Sequence, residues 1–133
     1  MTLKDYFHNA RGTGILSTAD AAGRVDAAIY AIPHVNEDGS VLFLMRERLS
    51  YANVLANPHA AFLFIEETAG FRGLRLFLHC AGEEDDPIRT AQLTRSWLSA
   101  EEDREKGPKH LVRFRVEKIL PLVGTGDPQV VLR

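Results

Sequence analysis

The stretch VLFLMRERLSYANVLANPHAAFLFI, residues 41–65, decides the fold. It opens on the apolar run 41–45, which has the length and composition of a strand. Arg46-Glu47-Arg48 ends that strand, and Ser50 is placed to N-cap a short helix over 51–56. Pro58 disfavours helical geometry at Asn57, so the helix stops there. Residues 59–67 then run almost uninterrupted through Ala60, Ala61, Phe62, Leu63, Phe64 and Ile65. Such a run predicts a strand covered on both faces, in a barrel interior or a dimer interface. The stretch is a strand–helix–strand unit at the centre of a mostly β domain.

Working outward, the polar group Asn36-Glu37-Asp38-Gly39-Ser40 predicts a hairpin turn before residue 41. The strand it closes spans 25–35, with Pro33 near its end, where a missing ladder donor is tolerated at an edge or bulge. Residues 20–23 form a turn, 13–19 a strand, and 3–9 a helix capped by Thr2 with Leu3, Tyr6 and Phe7 on one side. On the C-terminal side, residues 68–73 are a loop and 75–83 a strand. Asp86 and Pro87 stand at the N-cap and N1 positions of a helix over 87–101, with Ile88, Ala91, Leu93, Trp97 and Leu98 as an apolar stripe. Trp97 is expected to pack that helix on the barrel or across a dimer. The charged run 101–107 reads as a solvated helix end or linker. The last strand alternates through Leu111, Val112, Phe114, Val116, Ile119 and Leu122. A turn at 124–128 leaves room for a short strand at 129–133. Six or seven short antiparallel strands with few helices predict a β-barrel in a single domain over 1–133. A doubly wound parallel sheet needs more helices, differently placed.

A chain of 133 residues buries roughly two-thirds of its unfolded surface, enough for one core. Sixteen basic against eighteen acidic residues leave a net charge of −2, with no surplus for broad binding to a phosphate backbone. A nucleic-acid partner is therefore not expected. Cys80, the single cysteine, lies in an apolar run and reads as a small buried hydrophobe. The histidines His8, His34, His59, His79 and His110 show no metal-ligand spacing, and no metal site is read from them. No catalytic triad is legible, since triads assemble in space. Residues 1–11 lack an apolar signal core, and no run approaches the ~20 apolar residues that span a bilayer. The expectation is a cytoplasmic protein with no membrane partner.

The segment after residue 45 carries the chemistry. Free N–H groups at a helix start, the helix dipole and two nearby arginines make an anion site. Arg46 and Arg48 are the candidates to hold a phosphate, with Ser50 beside them. The alternative is that both arginines solvate a loop.

The pattern GRVDAAIYAIPHVNEDGSVLFLMRERLSYANVLANPHAAFLF, residues 23–64, resembles the flavin-binding split-barrel family of pyridoxamine 5′-phosphate oxidase-like proteins. GFRGLRLFLHCAGEEDD, residues 70–86, is similar to the next strand of that family. The resemblance covers most of the chain. It implies a split β-barrel homodimer with one flavin mononucleotide (FMN) in each of two clefts between subunits. It places the strand 28–33, including Tyr30 and Ala31, along the flavin ring through backbone groups. Phe43 and Leu44 fall where the third strand meets the cofactor. Arg46, Arg48 and Ser50 face the phosphate, and Asn53 lies near the ribityl chain. The implied activity is that of a flavin-dependent oxidoreductase or flavin carrier, with no catalytic side chain assigned.

The chain departs from the family where phosphate is held. Ala28 and Pro33 stand where the family has basic residues, and Leu49-Ser50 where it commonly has Arg-Lys. Each charge-assisted contact is worth roughly 1.5–3 kcal/mol, so losing two or three costs on the order of a hundredfold or more in affinity. Arg46 and Arg48 are placed to substitute. The chain also lacks the C-terminal extension of true pyridoxamine 5′-phosphate oxidases, so vitamin B6 oxidation is not expected. The alternative function is a non-enzymatic dimeric module that has lost FMN and binds another small ligand such as haem.

Overall fold

The computed structural model describes residues 1–94 and 99–132. Its elements, in chain order, are α1 (Leu3–His8), β1 (Gly12–Ala19), β2 (Val25–Tyr30), β3 (His34–Val35), β4 (Val41–Arg46), α2 (Leu49–Ala56), β5 (His59–Glu66), β6 (Gly73–Glu84), α3 (Pro87–Leu93), α4 (Ala100–Glu105) and β7 (Lys109–Pro121). The strands form one seven-stranded sheet in the order β2-β1-β5-β6-β7-β4-β3, and every pairing is antiparallel.

The order of the strands dictates the shape. β2 and β3 are the two edges of the sheet, yet only residues 31–33 separate them in the chain. A flat seven-stranded sheet is about 29 Å across from edge strand to edge strand at the usual inter-strand spacing. The link from Tyr30 to His34 reaches about 14 Å at most. The sheet must therefore curl until its edges approach, which makes a split barrel. The strand predicted over 25–35 accordingly breaks in two. Pro33 has no N–H to give a ladder, and the chain there leaves the β1 edge to join β4 through His34↔Leu42 and Val35↔Val41.

The barrel interior follows from strand alternation. Leu16, Phe43, Phe62, Phe64, Leu74, Leu76, Leu78, Val112 and Phe114 are buried in one cluster. α1 closes one side of it. Thr2 and Asp5 form a capping box, and Leu3 and Phe7 are buried. Phe7 meets Phe64 edge-on at 5.3 Å between ring centroids, a favoured aromatic geometry. The expected double burial of β5 is not met within the single chain. Phe62 and Phe64 point inward, while Ala61, Leu63 and Ile65 are half-exposed on the outer face.

The Asn57-Pro58 signal works as read. The Asn57 side chain accepts from His59 N–H at 3.1 Å and donates to the Asp20 carbonyl at 3.3 Å, tying the end of α2 to the β1–β2 turn.

Three expectations change. The helix over 87–101 is two elements. Thr94 is extended and ends α3, and a Ser99/Glu102 capping box starts α4. α3 has no fully buried residue; Ile88 of its stripe is 74% exposed and Ala91 is exposed, while Leu93 is half-buried on the cavity described below. Trp97 and Leu98 lie outside the described residues. The charged run 101–107 is no linker, because α4 docks on the barrel through Asp103, which pairs with Arg46 and Lys109. Residues 129–132 make only an isolated parallel bridge, Thr2↔Val131.

Candidate functional site

A cavity of about 350 Å³ opens where the barrel is split. Its geometry follows from the edges. β2 pairs only with β1, so its other side carries unpaired backbone groups. β3 covers β4 only at Val41 and Leu42, which leaves Phe43–Arg46 open on the same side. Unpaired strand edges are templates for hydrogen bonding by whatever fills the gap. The cavity is lined by both edges, by the 31–33 link and by the start of α2.

The structure brings together Tyr30, Ala31, Phe43, Leu44, Arg46, Arg48 and Ser50 on this cavity. Asn53 does not line it. Asn53 is buried beneath, and its amide donates to the Thr18 hydroxyl at 3.0 Å. Alternation sends Asp26, Ala28 and Tyr30 of β2 to the cavity side. Tyr30 stands edge-on to Phe43, with ring centroids 6.0 Å apart. Burial raises the Tyr30 phenol pKa, while a hydrogen bond with Ser50 and the charge of Arg48 pull it down.

The helix start is not as predicted. α2 begins at Leu49 with Arg48 as N-cap, and no side chain caps it. Ser50 lies inside the first turn, 5% exposed, with its hydroxyl 3.4 Å from Asp26 Oδ2. A Ser side chain this far into the helix is past the N-cap position and bonds across to β2 instead.

The two arginines differ. Arg46 Nη2 pairs with Asp103 Oδ1 at 2.5 Å, and its Nη1 donates to the carbonyls of Gly107 at 2.8 Å and Asp103 at 3.2 Å. Most of its donors are spent on α4. Arg48 is exposed and lines the cavity, and its side chain makes no hydrogen bond or ion pair among the described residues. Lys106, at the end of α4, also lines the cavity. Among the described residues, the exposed cations that line the cleft without a side-chain hydrogen bond or ion pair are thus Arg48 and Lys106, and Lys106 was hidden within a run that reads as surface charge.

His34 is a further lining residue that the sequence did not single out. Arg89 Nη1 lies 2.7 Å from its Nε2. A guanidinium only donates, so this nitrogen is the acceptor of a neutral ring. Burial first, then the Arg89 charge, lower the His34 pKa. No helix among the described residues is long and apolar enough to cross a membrane.

A family model described as pyridoxamine 5′-phosphate oxidase matches residues 4–122. No curated protein matches the chain. Among solved structures, an FMN-binding protein from Syntrophomonas wolfei subsp. wolfei is similar over 91% of this chain and 84% of that one, with 16% identity and a TM-score of 0.69. HupZ of Group A Streptococcus is similar over 94% of each chain, with 16% identity and a TM-score of 0.71. HutZ, the haem storage protein of Vibrio cholerae, is similar over 90% of this chain and 94% of that one, with 20% identity and a TM-score of 0.65. At these identities the structural likeness is one of fold.

Proposed function

The chain belongs to the pyridoxamine 5′-phosphate oxidase family, and from that premise we propose that its cleft binds FMN in a flavin-dependent oxidoreductase or flavin carrier. The observation that carries this reading is the split itself. Among the described residues, two open strand edges, an apolar wall and the exposed cations Arg48 and Lys106 line one cavity. Its volume, about 350 Å³, falls in the usual range of small-molecule sites. The residues present fit a planar aromatic group with an anionic tail. Backbone groups of residues 28–33 hydrogen-bond the ring edge, and Tyr30, Phe43 and Leu44 supply apolar contact. Arg48 and Lys106 take the phosphate at the mouth. A bound flavin supplies electron or hydride transfer. The chain's own residues bind and orient it, and none is assigned a catalytic role.

We further propose that the protein is a homodimer. The outer face of β2, β1 and β5 presents Val25, Ile29, Ile15 and Leu63, with Ile15 opposite both Ile29 and Leu63. Ile29 is 65% exposed on that face and also lines the cavity. Face and cleft are continuous, so a second copy seated on the face reaches the cofactor.

The test is titration of the purified full chain with FMN, read by quenching of flavin fluorescence. Saturable quenching that weakens in an Arg48→Ala/Lys106→Ala variant supports the reading. Absence of any spectral change on titration overturns it. A second reading, haem binding, is favoured by the likeness to the haem storage protein HutZ. Against it, the histidine of the described cavity lining, His34, has one ring nitrogen already engaged by Arg89. Parallel titration with hemin separates the two.

A further inference from the structure

We propose that His59, His79 and Glu117, on the outer face of the barrel, form a binding site for a divalent transition metal of the zinc type. The three come from β5, β6 and β7, remote from the cleft. His59 and His79 are directly opposed across the β5–β6 ladder. Their rings lie edge to face with centroids 5.2 Å apart. β7 has a register irregularity here: Phe77 pairs with Lys118 and Leu78 with Val116, so Glu117 is the extra residue. A bulge re-aims the side chain it carries, and one ligand atom from each of the three residues lies within 4.8 Å of the others.

The donor set has a chemical preference. Two imidazoles and one carboxylate are the ligands of three-coordinate protein zinc sites, which leave a fourth position for water. Imidazole favours zinc, copper and nickel over magnesium or calcium. Donors about 2 Å from a tetrahedral ion sit roughly 3.4 Å apart. Rotations of His59 and Glu117, both exposed, close the remaining gap without moving backbone.

A second observation points to a missing partner. His79 Nδ1 is shut off from solvent and has no hydrogen-bond partner. A buried polar atom left without a partner is destabilising and marks a place for an ion or water. Arg115 and Lys118 are nearby charges that oppose a cation here; Lys118 Nζ lies over the Phe77 ring, and Arg115 Nη2 donates to Glu117 Oε2 at 3.1 Å. The second carboxylate oxygen remains for a metal. Arg115 then serves as an outer partner that orients the ligand.

The experiment titrates the chelator-treated full chain with Zn2+ by calorimetry and with Co2+ by visible absorption. Saturable binding of one ion per chain is expected. His79→Gln and Glu117→Gln each weaken it by about a hundredfold, at least the loss that removal of an outer partner causes. His110→Gln, on a different part of the surface, leaves it unchanged. Glu117→Gln changes an exposed side chain, so it tests the site even if His79→Gln fails to fold. Absence of saturable binding to the wild type overturns the proposal. So does binding to Glu117→Gln that is as tight as to the wild type.

Discussion

Arg46 and Arg48 are two residues apart and have opposite fates. Arg46 is held by Asp103, while the Arg48 side chain lines the cavity with no side-chain hydrogen bond or ion pair among the described residues. Replacing Arg48 or Lys106 by Ala is therefore expected to weaken FMN binding by roughly tenfold each, the lower end of a charge-assisted contact at 1.5–3 kcal/mol. Arg46→Ala should instead loosen α4, read as a lower melting temperature. Fluorescence titration of the three variants separates the roles, and an Arg46→Ala loss larger than the other two would refute this division. The partner side has a pH signature. Hydrogen bonds from Lys109 first, then Arg46, hold the Asp103 carboxyl below its ordinary value of 3.8. Its contribution is thus present above that value and lost as pH falls through the lower folded-state pKa. The melting difference between wild type and Asp103→Asn is expected to be full at neutral pH and to shrink in acid below about 3.8. A difference that stays constant on acidification contradicts it.

One glycine belongs at this scale. A Cβ at Gly14 would stand 2.4 Å from the Phe62 ring and 2.5 Å from the Tyr30 carbonyl oxygen. Gly14→Ala should destabilise the fold by about 1–3 kcal/mol, as overpacking does, in urea denaturation. A neutral result would show that β2 can move away from β1.

At the scale of elements, α2 is fastened to the barrel by a buried bond at Asn53 and by Asn57 at its C-terminal end, with no side-chain bond at its N-cap. Asn53 donates to Thr18 across to β1. Asn53→Ala leaves a buried hydroxyl without that partner, at a cost of about 1–3 kcal/mol in denaturant unfolding. FMN affinity should change less than in Arg48→Ala, because Asn53 does not line the cavity. A larger loss of affinity would return Asn53 to the ribityl contact implied by the resemblance. The elements themselves were mostly legible. Thr2, Asp86 and the Asn57-Pro58 pair mark boundaries through bonds made within a few residues. The α3–α4 break was not read, although Ser99 and Glu102 carry the spacing of a capping box. The imperfect apolar stripe from Ile88 to Leu98 runs up to Ser99 in the sequence and masks it.

For the whole molecule, the decisive property is closure. The outer face of β1 and β5 sets Ile15 against Leu63, and continuity with the cleft makes it the expected dimer seam. Leu63→Glu should convert a dimer into a monomer in light scattering, with weaker FMN binding as a consequence. A wild type that is monomeric under the same conditions removes the seam, while leaving the single-chain cleft to be tested by titration.

What the sequence determined by itself is local. Alternation, caps, turns and the 41–65 unit specify six or seven short antiparallel strands, while the cleft residues along β2 and β4 were implied by the family resemblance; the seventh strand comes from the break of 25–35 into β2 and β3, not from 129–133. These signals act between neighbours a few positions apart, so they survive in one dimension. The tertiary structure alone decided which charges meet. Asp103 reaches Arg46, Lys106 reaches the cavity, and His59, His79 and Glu117 converge, because sheet register and barrel closure join segments tens of residues apart. The first part of the 41–65 unit, from Leu42 to Ser50, walls the cleft, and Lys106 at the end of α4 joins it there, a meeting that no local pattern encodes.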